Sequence, residues 1–134
     1  MTPSTLKGLN ILVVDDEPST VVSVAVVLKA HGHSVDGVPD GEDALVRLKD
    51  DLHRYQIIIT DHAMEKVSGL ELLTALRTTA FRGKVMVLSA HLTYDLKLSY
   101  HSLGVDRLIS KPFDLAELRE AVNELGAAFR KQSL

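Results

Sequence analysis

The chain has 134 residues, a length that fits one domain and leaves no room for a second enzyme-sized module. Apolar residues make up 46% and charged residues 25%, close to the average for globular chains, which argues against disorder and fibrous structure. With 15 Lys plus Arg against 18 Asp plus Glu, the net charge of −3 supplies no basic field for nucleic acid or an anionic membrane, and the lack of cysteine excludes disulfides, thiol catalysis and Cys-based zinc sites.

Ile11-Leu12-Val13-Val14 reads as a first strand, a continuous run rich in β-branched residues and suited to burial on both faces. Pro18 suits the opening turn of a helix over about 19–31, and Gly32 suits its C-terminal end. Ser34 to Val38 is a weaker strand, followed by a helix over about 41–53. Ile57-Ile58-Ile59 is the next strand, and the helix after it covers about 69–79. Val85-Met86-Val87-Leu88 leads to a helix over about 92–103 with Gly104 at its end. A short strand at Leu108-Ile109 follows, and Asp114 is placed to cap a last helix over about 114–131. No repeat, low-complexity tract or linker divides the chain. Strand and helix thus alternate five times, and right-handed crossovers turn that order into an α/β fold, a parallel sheet with helices on both faces.

The longest apolar run, Val24 to Leu28, is far short of the roughly 20 residues that a membrane span needs. Met1 to Lys7 and the brief apolar stretch after it, which ends at Asp15 and Asp16, are too short for a signal-peptide core. The expected location is therefore cytoplasmic.

In open parallel sheets the site lies outside the carboxyl ends of the strands. Here each strong strand ends in a polar residue: Asp15 and Asp16 after the first, Asp61 after the third, Ser89 after the fourth and Lys111 after the fifth. Three carboxylates, a hydroxyl and an ammonium should meet at one sheet edge. Such a cluster repels itself unless a cation joins it. Carboxylate oxygens without Cys or an obvious His pair favour magnesium or manganese over zinc, in a site that also takes phosphate oxygens. Asp61 can then attack as a carboxylate nucleophile and form an aspartyl phosphate, with Lys111 and Ser89 on the phosphoryl oxygens.

These residues carry a family resemblance. Ile11-Leu12-Val13-Val14-Asp15-Asp16-Glu17-Pro18, the Asp61-to-Gly69 segment with Met64, Val87-Leu88-Ser89-Ala90, and Gly104-Val105-Asp106 through Ser110-Lys111-Pro112-Phe113 stand in the order and spacing of a known pattern. The chain resembles the receiver domain of two-component response regulators of the chemotaxis-regulator type over about residues 8–128. The resemblance implies a single receiver domain over 1–134 with a flavodoxin-like (βα)5 fold, its five parallel strands in the order 2-1-3-4-5. It implies that Asp16 ligates Mg²⁺ directly, that Asp15 acts largely through water, and that Asp61 is the phosphoacceptor and a ligand. The backbone carbonyl of Ala63 is then the third protein ligand. Ser89 becomes the hydroxyl that moves toward the phosphoryl group, Lys111 the lysine beside it, and Lys111-Pro112 a bond that is often cis.

The implied partners are a histidine kinase or histidine phosphotransfer protein and a downstream protein target, with no direct nucleic acid and no membrane insertion, for a monomer or weak dimer. The implied activity is self-phosphotransfer and autodephosphorylation rather than turnover of a separate substrate. Leu6-Lys7-Gly8-Leu9 resembles the approach to receivers in hybrid kinases. A metal-dependent phosphohydrolase with an aspartyl-phosphate intermediate, a pseudo-receiver acting as a binding module, and a flavodoxin-like nucleotide binder are the competing readings. The hydrolase would need an acid/base Asp where Ala63 stands, and the nucleotide binder a Gly-rich loop after the first strand.

Some positions depart from the family pattern. Leu108 stands three before the lysine, where a switch Tyr or Phe is usual, and Met64 is followed by Glu65 instead of Pro. His62 and Ala63 follow the phosphoacceptor and His91 lies two after Ser89; in the family, side chains at the Ala63 and His91 positions tune phosphoryl loss, and His91 either positions water or is simply solvated. The first helix leaves only Ser23 polar across Val21 to Leu28. With Val24, Val27 and Leu28 toward the sheet, Val22, Ala25 and Val26 are left outside, as a partner surface or as a helix covered by its neighbours. His31, His33, His53 and His101 read as ordinary surface residues. Tyr94 and Tyr100 fall on different faces of one helix and form no stacking platform.

Overall fold

The computed structural model describes residues 8–132, so that Leu6 and Lys7 of the hybrid-kinase-like approach lie outside the described residues. Five strands alternate with five helices. The strands are β1 (Asn10–Val14), β2 (Ser34–Val38), β3 (Ile57–Asp61), β4 (Lys84–Ser89) and β5 (Arg107–Ser110), and the helices are α1 (Pro18–Ala30), α2 (Gly41–Asp50), α3 (Gly69–Leu76), α4 (Tyr94–Ser102) and α5 (Leu115–Gln132). The sheet is wholly parallel in the order β2-β1-β3-β4-β5, as expected. Register pairs Ile11 with Val35 and Ile57, Ile57 with Lys84, and Met86 with Arg107.

The strand runs are apolar without interruption because both faces are covered. Side chains alternate across the pleat, so Ile11, Val13, Ile57, Ile59, Met86 and Leu88 pack with Val24 and Leu28 of α1 and Leu118 and Val122 of α5. Leu12, Val14, Ile58, Val85 and Val87 pack on the other side with Ala44, Leu48, Leu72, Leu76 and Tyr100 from α2, α3 and α4. Two cores, each fed by alternate residues of the same strands, fix every strand end at the same edge of the sheet.

Most helix ends fall where side chains can satisfy their free N–H groups. The carboxylate of Asp40 accepts from Asp43, Thr93 from Leu96 and Asp114 from Glu117, and Ser68 with Glu71 forms a reciprocal capping box at α3. α3 stops at Leu76, short of the expected 79. The hydroxyls of Thr78 and Thr79 turn back to the carbonyls of Ala75 and Leu76, and that local bonding competes with another helical turn. α2 likewise ends at Asp50 because the backbone of Asp51, at φ −151° and ψ 84°, leaves the helical region. Gly32 and Gly104 lie in the left-handed region, at φ 91° and 71°, after the ends of α1 and α4.

One reading is corrected. His33 is not a surface residue: it is 6% exposed, and its Nδ1 accepts a 3.4 Å hydrogen bond from the backbone N–H of Leu9.

Candidate functional site

β1 and β3 lie side by side, β1 running into Asp15 just past its end and β3 ending at Asp61, so the topology alone brings these carboxyls together. Oxygens of Asp15, Asp16 and Asp61 lie within 4.8 Å of one another. Asp15 and Asp61 are buried and Asp16 is exposed. The Asp15 carboxylate is held by the backbone N–H of Glu17 at 2.9 Å, which ties it to the start of α1.

Lys111 arrives from the end of β5, beyond β4. Its Nζ stands 3.2 Å from Asp61 Oδ1 and 3.5 Å from Asp15 Oδ2. The peptide bond from Lys111 to Pro112 is cis. Ser89 closes β4 at 3% exposure, and its hydroxyl accepts from the His91 N–H at 3.3 Å, so it is engaged with its own loop. Ala63 and His91 are exposed on the rim.

The electrostatics follow from this crowding. Burial raises the Asp15 carboxyl above its ordinary value, the Glu17 N–H works against that, the charge of Asp61 adds to it, and Lys111 offsets part. Burial opposes the charge of Lys111, but Asp15 and Asp61 beside it outweigh that and leave its ammonium above the usual lysine value. One ammonium thus faces three clustered carboxylates. The oxygens are hard, close together and short of positive charge, which suits Mg²⁺ or Mn²⁺.

One further residue belongs to this region and was not expected there. Tyr100 is fully buried at 0% exposure, and its hydroxyl lies 2.5 Å from Nδ1 of His62, the residue after Asp61. The signal was present: six residues on a helix rotate a side chain by about 240°, so an outward Tyr94 puts Tyr100 on the inner face. Leu108 is half-buried and packs against the same apolar cluster as Tyr100.

Comparison with known proteins adds family evidence. Residues 11–123 match the model of the response regulator receiver domain. The chain is 31% identical over 117 residues to the two-component response regulator PhoP of Pseudomonas aeruginosa, covering 87% of this chain and 51% of that protein. It is 35% identical over 111 residues to the transcriptional regulatory protein DltR of Streptococcus agalactiae, covering 82% and 48%. The chain therefore spans about half the length of the curated relatives it matches. Among solved structures, a response regulator receiver protein from Pseudomonas putida superimposes with a TM-score of 0.81 at 29% identity, over 87% of this chain and 97% of that one.

Proposed function

Because the chain belongs to the response regulator receiver domain family, we propose that Asp61 is its phosphoacceptor and that it takes a phosphoryl group from a phosphohistidine on a histidine kinase or histidine phosphotransfer protein. The observation that carries this reading is the buried Asp61 carboxylate with Lys111 Nζ at 3.2 Å inside a cluster of three carboxylates.

An Asp61 oxygen attacks phosphorus, the phosphorus–nitrogen bond to the partner histidine breaks, and the imidazole leaves with its electron pair and takes up a proton. Lys111 binds an oxygen of the transferred group and offsets its charge. Asp15, Asp16, Asp61 and the Ala63 carbonyl would hold Mg²⁺, whose bound charge lowers the barrier to bringing two anions together. Release of the Ser89 hydroxyl from His91 lets it turn toward the phosphoryl oxygens and draw its loop along. The phosphoryl group places about −1.5 to −2 charge where the Asp61 carboxylate carried a single one, a change that can shift an existing balance between two conformations.

The partner's docking face is read from α1. A cleft of about 540 Å³ lies between the first turns of α1 and the segment after β5, lined by Glu17, Ser19, Thr20, Ser23, Ala90 and Lys111 among others. Val22 and Val26 of the same helix are exposed, at 61% and 63%. A helix that carries the phosphohistidine and covers those valines would bring the histidine to the mouth of the acidic site.

The downstream target is a protein surface. Among the described residues no helix is long and apolar enough to cross a membrane. A phosphohydrolase is disfavoured, since Ala63 offers no acid or base to the water that would attack the aspartyl phosphate.

The test is direct. Incubation with Mg²⁺ and a small phosphodonor should give an acid-stable, base-labile adduct that Asp61→Asn abolishes. An adduct that persists in that variant, or none with any donor including a cognate kinase, defeats the assignment.

A further inference from the structure

One buried polar contact takes no part in the chemistry above. Tyr100 is the single buried side chain of α4 among the described residues, while Leu96 of that helix meets the core only partly buried. Its ring belongs to the apolar cluster that also holds Leu72, Leu73 and Val87. Its hydroxyl meets His62 Nδ1 at 2.5 Å, with the two rings edge to face at 78° and 5.5 Å between centroids. Burial first, and the charge of Asp61 second, keep the phenol well above its usual pKa, so the hydroxyl stays protonated beside Nδ1 of His62.

His62 is itself fixed at both backbone ends. Its N–H donates to the Leu88 carbonyl and its carbonyl accepts from the Gly69 N–H, each at 2.9 Å. A Cβ added at Gly69 would sit 2.7 Å from the Asp61 carbonyl oxygen and 2.8 Å from the Tyr100 hydroxyl. The tyrosine hydroxyl, the backbone of Asp61 and the start of α3 therefore fill one tight volume. Rigid, close-packed contacts of this kind switch between discrete arrangements and do not deform smoothly.

The other end of α4 is joined to the site as well. Residues 90–93 run from Ser89 into Tyr94, and Ser89 is held back by its bond from His91. A group on Asp61 that draws the Ser89 hydroxyl inward pulls on that bond and on this segment. The pull falls on a helix whose one buried anchor is Tyr100.

We infer that the Tyr100–His62 hydrogen bond is a latch that holds α4 in its resting arrangement and opens when Asp61 is phosphorylated. Tyr100 is then a positioning residue acting through His62, and the inference rests on the receiver reading above. A bond made only in the resting arrangement opposes the shift, so its removal must tighten binding of whatever favours the other arrangement. A tyrosine that merely stabilised the fold would weaken such binding on removal or leave it unchanged.

The test uses the whole 134-residue chain, with beryllofluoride and Mg²⁺ as a stand-in for the phosphoryl group. Affinity is measured by calorimetry for the wild type, Tyr100→Phe, His62→Ala and the double variant. Amide hydrogen exchange across α4 is followed alongside. Tyr100→Phe keeps the ring, and it should bind beryllofluoride about threefold to tenfold more tightly, the worth of one net hydrogen bond. The double variant should gain no more than either single one. The α4 amides should exchange faster in ligand-free Tyr100→Phe, and faster in the wild type once beryllofluoride is bound. If the wild type binds beryllofluoride but Tyr100→Phe binds it no more tightly, or if the two effects add in the double variant, the latch is rejected while the receiver reading stands. If the wild type binds none, the receiver reading fails and the latch with it.

Discussion

Lys111 Nζ lies between two carboxylates, 3.2 Å from Asp61 Oδ1 and 3.5 Å from Asp15 Oδ2, although β4 separates its strand from that of Asp61. The lysine reaches across a strand to partly neutralise a cluster that would otherwise repel itself. Yet one positive charge leaves the cluster net negative, so the site retains attraction for a cation while already presenting a donor to an incoming anion.

Removing that ammonium separates the two roles. Lys111→Met leaves Asp15 and Asp61 buried and facing each other, and in chelator it should lower unfolding free energy by about 1–2 kcal/mol, since a buried charge has lost its partner. Added Mg²⁺ should recover much of the loss and bind more tightly than in the wild type. Adduct formation on Asp61 should nonetheless fall by about tenfold or more, because the donor proposed for the phosphoryl oxygen is gone. Urea titrations with and without Mg²⁺, beside adduct yield, check both halves; a variant more stable than the wild type in chelator would contradict the argument.

Asp15 makes the opposite prediction for stability. Its folded pKa is raised above 3.8, so the fold favours the protonated form. The associated stabilisation is fully present below the unfolded value and is lost as pH rises through the folded one. At neutral pH the ionised Asp15 is therefore a cost, and Asp15→Asn, which keeps an oxygen for the Glu17 N–H, should stabilise the metal-free chain by about 1 kcal/mol. The gap between variant and wild type should widen from about pH 4 upward. It should shrink or reverse in saturating Mg²⁺. Denaturation across pH in chelator measures it.

Asp15, Asp16, Asp61, Ser89 and Lys111 were legible because a parallel sheet aligns the ends of its strands, and each strong strand terminated in a residue with chemistry. β1, β3 and β4 were readable as continuous apolar runs, since burial on both faces removes polar residues from them. Helix ends were less legible. The stop of α3 depends on Thr78 and Thr79 bonding backwards, a choice between local hydrogen bonds that hydrophobic period does not encode. His33 and Tyr100 were missed for a shared reason. Each is a polar side chain whose burial is made tolerable by a partner distant in sequence, Leu9 for one and His62 for the other.

Gly69 shows how tightly that distant pairing is packed. Its own backbone is unremarkable in φ, but an added methyl would meet the Asp61 carbonyl at 2.7 Å and the Tyr100 hydroxyl at 2.8 Å. Gly69→Ala should therefore destabilise the chain by about 1–3 kcal/mol, the usual cost of overpacking. The strain falls on the loop after Asp61, the proposed acceptor, so Mg²⁺ affinity should drop with it. Thermal unfolding together with a metal titration distinguishes this from a simple helix effect, since Ala in place of Gly inside a helix would stabilise.

The valine stripe on α1 yields a prediction about the partner. Val22 and Val26 are exposed one helical turn apart, while Val24 and Leu28 face the core. Their replacement by Ser or Gln removes no buried contact, so stability should stay within about 0.5 kcal/mol of the wild type. Adduct formation from a small phosphodonor should also be unchanged, because neither side chain belongs to the acidic cluster. Transfer from a phosphorylated histidine partner should fall by about tenfold or more if these valines are covered in the complex, as truncation of a central apolar anchor costs more than about 1–2 kcal/mol. The two donors therefore serve as controls for each other. Equal transfer from the histidine partner to wild type and Val22→Ser/Val26→Ser would show that the stripe is a solvent-facing feature of α1 and that the partner approaches the acidic cleft from another side.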